Sequence, residues 1–140
     1  MNVNKIKNMF FPFIINVHFF DEIDSTHLYS KRLLNKNIHF SNIIIAKTQT
    51  NGIGSHQNTW YSGKDNLAFT LILFPECHVC KLSNITLLIA DSIKQSIFDL
   101  YGYNLEIKIP NDLFLNNKKI CRNPYRILYY SRWSCKILIN

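Results

Sequence analysis

The side chains with most chemical capacity in this 140-residue chain fall in four short segments. Asp24-Ser25-Thr26-His27 offers a carboxylate and two hydroxyls. The stretch from Gln49 to Trp60 offers an amide, two glycines and an indole. Lys108-Ile109-Pro110-Asn111-Asp112 sets a cation beside an amide and a carboxylate, and Lys118-Lys119 adds two more cations. Hydroxyls and amides bind the polar part of a ligand, and a glycine loop lets backbone N–H groups approach an anion. A lysine offsets negative charge that develops during reaction, and a carboxylate suits a divalent cation. Each segment also has a plain structural reading. Ser25 and Thr26 can be a helix cap, Asn111-Asp112 a turn, and the double lysine a solvated hairpin.

The elements that must position these groups follow from periodicity. His18–Ile23 alternates loosely with two Phe and predicts a strand, after which Asp24-Ser25-Thr26 caps a helix reaching about Asn35. Ile43-Ile44-Ile45-Ala46 is a β-branched run of the buried-strand type, and Gly52 and Gly54 then require a loop. Asn66–Phe74 reads as the strongest strand, closed by Pro75. Ser83 is placed to cap a long helix to about Tyr101 with Gly102 as its stop. Leu87, Leu88, Ile89, Ile93, Ile97, Phe98 and Leu100 are expected to form its core face. Leu105–Ile109 predicts a strand, and Leu113-Phe114-Leu115, Asn116-Asn117 and Lys118-Lys119-Ile120 a hairpin. Mixed strands and helices make the fold class α+β.

Composition narrows the function classes. With 47% apolar residues the chain can bury one core, and it shows no repeat, heptad or collagen period. The net charge is +7, but the stretch up to Asp112 holds ten basic and nine acidic residues, while the remainder holds six basic and none acidic. The basicity therefore belongs to the end of the chain, which argues against a DNA- or RNA-binding body. Cys77, Cys80, Cys121 and Cys135 follow no signal peptide, so free thiols and a cytoplasmic setting are expected. Cys77-His78-Val79-Cys80 lacks the second ligand pair of a zinc site. The apolar run Met9–Ile15 is too short to cross a membrane, and Pro12 interrupts it. The chain thus divides into an arm over 1–17, a domain over 18–121 and an atypical basic tail over 122–140, in which no amphipathic element is expected to close the domain.

In this order and spacing the segments resemble the catalytic domain of the biotin-protein ligases. The matching residues are Glu22-Ile23-Asp24-Ser25-Thr26, Ala46 with Gln49, Gly52 and Gly54 with Trp60, Asn66-Leu67, and Lys108 with Pro110-Asn111-Asp112 and then Lys119. They span roughly Phe19 to Ile120. The resemblance implies a mixed β-sheet flanked by helices, of the class II aminoacyl-tRNA synthetase and biotinyl protein ligase type. It implies two steps: ATP activates biotin to biotinyl-AMP with release of pyrophosphate, and a lysine on the biotin carrier domain of a carboxylase then takes the acyl group. On this resemblance Ser25, Thr26 and Gln49 bind the ureido head, Gly52 and Gly54 let the loop approach the ligand, and Trp60 walls the pocket. Ser55, His56, Lys108, Asn111 and Asp112 lie at the nucleotide, Asp112 is the Mg2+ ligand, and Lys119 meets the acyl-adenylate oxygens, so that Lys119 and Asp112 are the catalytic pair. A homodimer is compatible with the resemblance; DNA and membrane partners are not expected. Two alternatives remain open, an inactive remnant or biotin-binding module, and a lipoate-protein ligase-like acyltransferase.

The departures are specific. The usual arginines of the family's glycine loop are absent, and His56 stands where a cation is expected. His27 replaces Asn or Gln and is expected on the helix surface. Ile109 replaces Trp at a position expected to be buried. After Cys121 the family's Gly-Ile-Leu strand is replaced by Arg122-Asn123-Pro124, which suggests a truncated or frame-shifted product.

Overall fold

Ile43, Ile44, Ile45 and Ala46 are all buried, together with Asn42, so the strand that carries them is covered on both faces. In the computed structural model this strand is β2 (Ser41–Gln49), and it pairs in parallel with β1 (Ile15–Ile23), with Ile23 opposite Gln49. A parallel pair needs a crossover, and α1 (Thr26–Leu34) supplies it. The structure describes residues 15–53, 59–60, 66–74, 84–109, 112–122, 125–129 and 135–139. Most of the arm over 1–17 therefore lies outside the described residues; its last three residues open β1.

β5 (Ala68–Leu73) runs antiparallel to β2 on its other side, with Thr70 opposite Ile44. Beyond β5 stand β10 (Cys135–Ile139) and β9 (Tyr125–Tyr129), giving a mixed sheet of order β1-β2-β5-β10-β9. This corrects the expectation that nothing past Cys121 closes the domain. The physical reason is that β5 is strongly apolar and needs a partner on its open side, and Ile137-Leu138-Ile139 supplies one in register. Pro124 falls in sequence between β8 (Lys118–Arg122) and β9 and lies outside the described residues. Leu33 of α1 packs on Ile44 and Ile72, with Phe20, Tyr29, Leu34, Ile38 and Phe74 around them.

A second layer is built on α2 (Ile85–Tyr101) and a three-stranded antiparallel sheet of β6 (Glu106–Lys108), β7 (Asp112–Leu115) and β8. Its core is Ala90, Leu105 and Leu113, with Ile93, Ile97, Ile107, Leu115 and Cys121. The buried stripe of α2 therefore follows Thr86, Ala90, Ile93 and Ile97, at helical spacing. Leu87, Leu88, Phe98 and Leu100 are exposed, which corrects their assignment to the core face. Leu87, Leu88 and Phe98 sit a quarter to a half turn round from the stripe, and Leu100 lies in the last turn. The helix stops at Gly102, whose φ of +73° suits glycine, and Gly102 N–H closes onto Phe98 O at 2.8 Å. Its N-cap is Asn84, without a side-chain cap; Ser83 lies outside the described residues.

The hairpin between β7 and β8 turns on Asn116 and Asn117 at φ +50° and +61°, the left-handed pair that a two-residue turn of this twist requires. The fold is α+β, as expected. No helix among the described residues is long and apolar enough to cross a membrane.

Candidate functional site

The loop between β1 and α1 is tied down from three sides. Ser25 is the N-cap in an extended conformation, and its hydroxyl accepts from Leu28 N at 3.5 Å. Asp24 Oδ1 accepts from Ser25 N at 2.7 Å, and Arg32 forks onto both carboxylate oxygens at 2.7 and 2.9 Å. The Arg32 hydrogen bonds hold the Asp24 carboxyl at about 2, against a smaller opposing effect of burial. Because this folded-state value lies below the ordinary 3.8, the pair stabilises the fold fully above pH 4, and the contribution disappears as pH falls through about 2. The pair is half-exposed, so the effect is at most about 1 kcal/mol. Asp24→Asn should flatten the acid limb of the melting temperature between pH 4 and 2; an unchanged acid limb would refute the assignment.

The chain leaving β2 is fastened to the same place. Thr50 N donates to Ile23 O at 2.9 Å and Asn51 N to Asp24 O at 2.7 Å. Gln49 then reaches the start of α1. Its Oε1 accepts from Thr26 N at 2.8 Å and from Thr26 Oγ1 at 3.1 Å, so a side chain 23 residues away satisfies one of the helix's first N–H groups. Thr70 Oγ1 completes the group by donating to Thr26 Oγ1 at 3.0 Å. Ser25, Thr26 and Thr70 are fully buried, and Gly52 is buried opposite Trp60 in the two-stranded pair of β3 (Gly52–Ile53) and β4 (Thr59–Trp60). The structure thus brings Ser25, Thr26, Gln49 and Gly52 to one end of the sheet, where β1 and β2 finish and β5 begins. Gly54, Ser55 and His56 lie outside the described residues, as does the side chain of Trp60.

Thr70 is the residue that sequence reasoning missed. Its signal is a lone hydroxyl within Leu67-Ala68-Phe69-Thr70-Leu71-Ile72, on the same face of β5 as the buried Ile72. His27, expected on the surface, is 5% exposed and belongs to the buried side of α1's first turn. The correction follows from its position directly after two buried residues at the β1–α1 junction, where the sheet covers the first turn.

Asp112 and Lys119 form the other half of the predicted set, on β7 and β8. Lys119 Nζ lies 2.5 Å from Asp112 Oδ2. A β-bulge makes this pairing. The register runs Leu113 to Cys121 and then Phe114 to Lys119, so Ile120 is the extra residue. In an unbroken ladder Lys119 would share the core face with Leu113. The one-residue shift turns it to the opposite face, with Asp112 and Phe114. Lys118, opposite Leu115, is not on that face. Lys108 is paired with Asp112 in register, yet its ammonium sits 3.9 Å from the Phe114 ring centre. Burial, aided by the Asp112 charge and opposed by Lys119, pushes the Cys121 thiol up.

Asn111 lies outside the described residues. Ile109 is 82% exposed, not buried, because none of the described elements covers the end of β6. No hydrogen bond among the described residues joins the Asp112–Lys119 pair to the Thr26–Gln49–Thr70 group. Asp112 Oδ1 is enclosed and without a hydrogen-bond partner among the described residues, a donor that suits a divalent cation. No cluster of three His, Cys, Asp or Glu forms among them.

Comparison with known proteins places the sequence and the fold. The chain is 34% identical over 100 residues to the bifunctional ligase/repressor BirA of Bacillus subtilis, a match covering 71% of this chain and 31% of BirA. It spans about a third of the length of the curated relatives it matches. Its fold superposes on the Helicobacter pylori biotin acetyl coenzyme A carboxylase synthetase with bound biotinylated ATP, at a TM-score of 0.63 and 28% identity, over 90% of this chain and 61% of that one. It also superposes on the Leishmania major biotin protein ligase in complex with biotinyl-5-AMP, at a TM-score of 0.71 and 23% identity, over 89% of this chain and 56% of that one. Residues 19–121 match the profile of the biotin/lipoate A/B protein ligase family, and the chain belongs to that family.

Proposed function

We propose that this chain is catalytic-domain sequence of a biotin-protein ligase, acting in the cytoplasm, with residues 18–121 as the ligase segment. The observation that carries the reading is the contact of Gln49 with Thr26, which joins two separate motifs into one buried polar site. The relatives' ligase activity, named for BirA and for the H. pylori synthetase, supports it.

Ser25, Thr26 and Gln49 hydrogen-bond the ureido head of biotin, and Gly52, Gly54 and Trp60 enclose it. A biotin carboxylate oxygen attacks the α-phosphorus of ATP, the bond to the bridging oxygen breaks, and pyrophosphate leaves. Lys119 offsets the charge on the reacting oxygens, and Asp112 holds the ammonium in place. Ser55, His56, Lys108 and Asn111 face the nucleotide. When Mg2+ is bound with the nucleotide, Asp112 is its protein ligand and the ion neutralises phosphate charge. In the second step the neutral amine of a lysine on a biotin carrier domain attacks the acyl carbon, and AMP leaves.

The test is transfer. The whole chain, shown folded by circular dichroism, is incubated with biotin, Mg-ATP and a carrier domain, and the carrier is probed with avidin. Labelling of the carrier lysine is expected, and lipoate in place of biotin should give none. A folded chain that labels nothing overturns the reading.

The loop composition adds a prediction. No arginine stands between Gly52 and Asn58, and a histidine is mostly uncharged near neutral pH. His56→Arg should slow dissociation of biotinyl-AMP by about tenfold or more, since a charge-assisted bond contributes ~1.5–3 kcal/mol. An unchanged dissociation rate would show that His56 does not face the adenylate.

A further inference from the structure

We propose that Phe114 is a positioning residue for a phosphate-bearing ligand: its ring holds the Lys108 ammonium as a fixed cation that no carboxylate neutralises. The assignment rests on the ligase reading above and deepens it, since it names what keeps a cation in place for the polyphosphate of ATP.

The juxtaposition lies on the outer face of the three-stranded sheet. Ile107, Leu113, Leu115 and Cys121 belong to the core beneath α2. Glu106, Lys108, Asp112 and Phe114 therefore share the opposite face, and the bulge adds Lys119 to them. Lys108 stands directly opposite Asp112, and Glu106 is its neighbour two residues back along β6. A lysine beside two carboxylates is expected to pair with one. Among the described residues Lys108 pairs with neither. Its ammonium lies 3.9 Å from the centre of the Phe114 ring, diagonally across β6 and β7. The same face supplies the reason. Asp112 gives Oδ2 to Lys119, and its Oδ1 is enclosed. Glu106 is exposed, where an ion pair gains little over water, and the half-buried ring is the better partner.

A ring and a carboxylate hold a lysine differently. A carboxylate cancels its charge, whereas the ring's negative face attracts the ammonium and leaves the unit charge in place. Lys108 is thus a full cation beside the Asp112–Lys119 pair. A free lysine gives up rotamer freedom when it meets an anion; here that loss is taken on folding, so a phosphate group meets a cation already in position. A ligand without phosphate gains nothing from it.

Phe114→Leu removes the ring and keeps an apolar side chain; Phe114→Tyr keeps the ring. For the whole chain, binding of Mg-ATP and of adenosine is measured by calorimetry without biotin, and kcat and the KM values for ATP and biotin by pyrophosphate release. Phe114→Leu should weaken Mg-ATP binding and raise the ATP KM about three- to fivefold, the worth of one ring–ammonium contact, with kcat, the biotin KM and adenosine binding within about twofold. Phe114→Tyr should keep the wild-type values. Lys108→Gln should raise the ATP KM at least as much, and adding Phe114→Leu to it should change nothing further, because the ring acts only through the lysine. In proton NMR the Lys108 ε-methylene resonances should lie upfield of those of Lys118 and lose that displacement in Phe114→Leu. Should Phe114→Leu not fold, Phe114→Met, of similar bulk without a ring, carries the same expectations.

An unchanged ATP KM in the ringless variant overturns the proposal, as does the absence of the upfield displacement. So does an equal loss of adenosine binding, which would make the ring a stacking surface for the base, or a further loss when Phe114→Leu is added to Lys108→Gln. A wild-type chain that neither binds Mg-ATP nor releases pyrophosphate overturns the ligase reading itself, whereas wild-type turnover with unaffected Phe114 variants overturns the role of Phe114 alone.

Discussion

Lys119→Ala should reduce biotinyl-AMP formation by about 100- to 1,000-fold, the loss typical when one preorganised charge-stabilising group is removed. The size of the effect follows from geometry. The bulge at Ile120 puts Lys119 alone of the two adjacent lysines on the face of Asp112, 2.5 Å from its carboxylate. Lys118 is opposite Leu115 and cannot take its place. Removing the ammonium also takes away the Asp112 carboxylate's ion-pair partner, which on the proposed function adds repulsion toward the phosphate to the loss of stabilisation. Pyrophosphate release with Lys118→Ala as the control measures it. The control should retain activity within about threefold. If Lys119→Ala does the same, the pair has no part in the first step.

Ile44→Ala should lower unfolding stability by about 2–5 kcal/mol, through lost burial and the cavity left behind. Ile44 has no exposed surface, sits in β2 between β1 and β5, and contacts the cluster of Leu33 and Ile72 under α1. That cluster also holds α1 to the sheet through Tyr29, Leu33 and Leu34. For a domain of this size the melting temperature should fall by roughly 10 °C. Leu88→Ala, at a site 64% exposed on α2, should change it by about 2 °C or less. Calorimetric melts of both variants decide this; equal small shifts would mean that β2 is not the centre of the cooperative core.

Much of this architecture was legible in the residues. The β-branched run at Ile43–Ala46 marked a strand covered on both faces. Ser25 marked the start of α1, Gly102 the end of α2, and Asn116-Asn117 the two-residue turn. These signals are local: a cap, a left-handed residue or a period is read within one turn or one strand. The misreadings came where a local signal met a distant partner. The apolar count on α2 exceeded what one face could bury, so Leu87 and Leu88 stay exposed. Ile137-Leu138-Ile139 had no visible role until the open side of β5 stood beside it.

The sequence by itself determined the α+β alternation, the order of the chemical segments and the family they belong to, because propensity, spacing and side-chain type are properties of neighbours along the chain. Only the tertiary structure decided that Thr70 joins Thr26 and Gln49, and that Lys119 rather than Lys118 meets Asp112. The first depends on which strands become neighbours. The second depends on the parity of a ladder that one extra residue reverses, and strand order and register are settled by burial summed over the whole sheet.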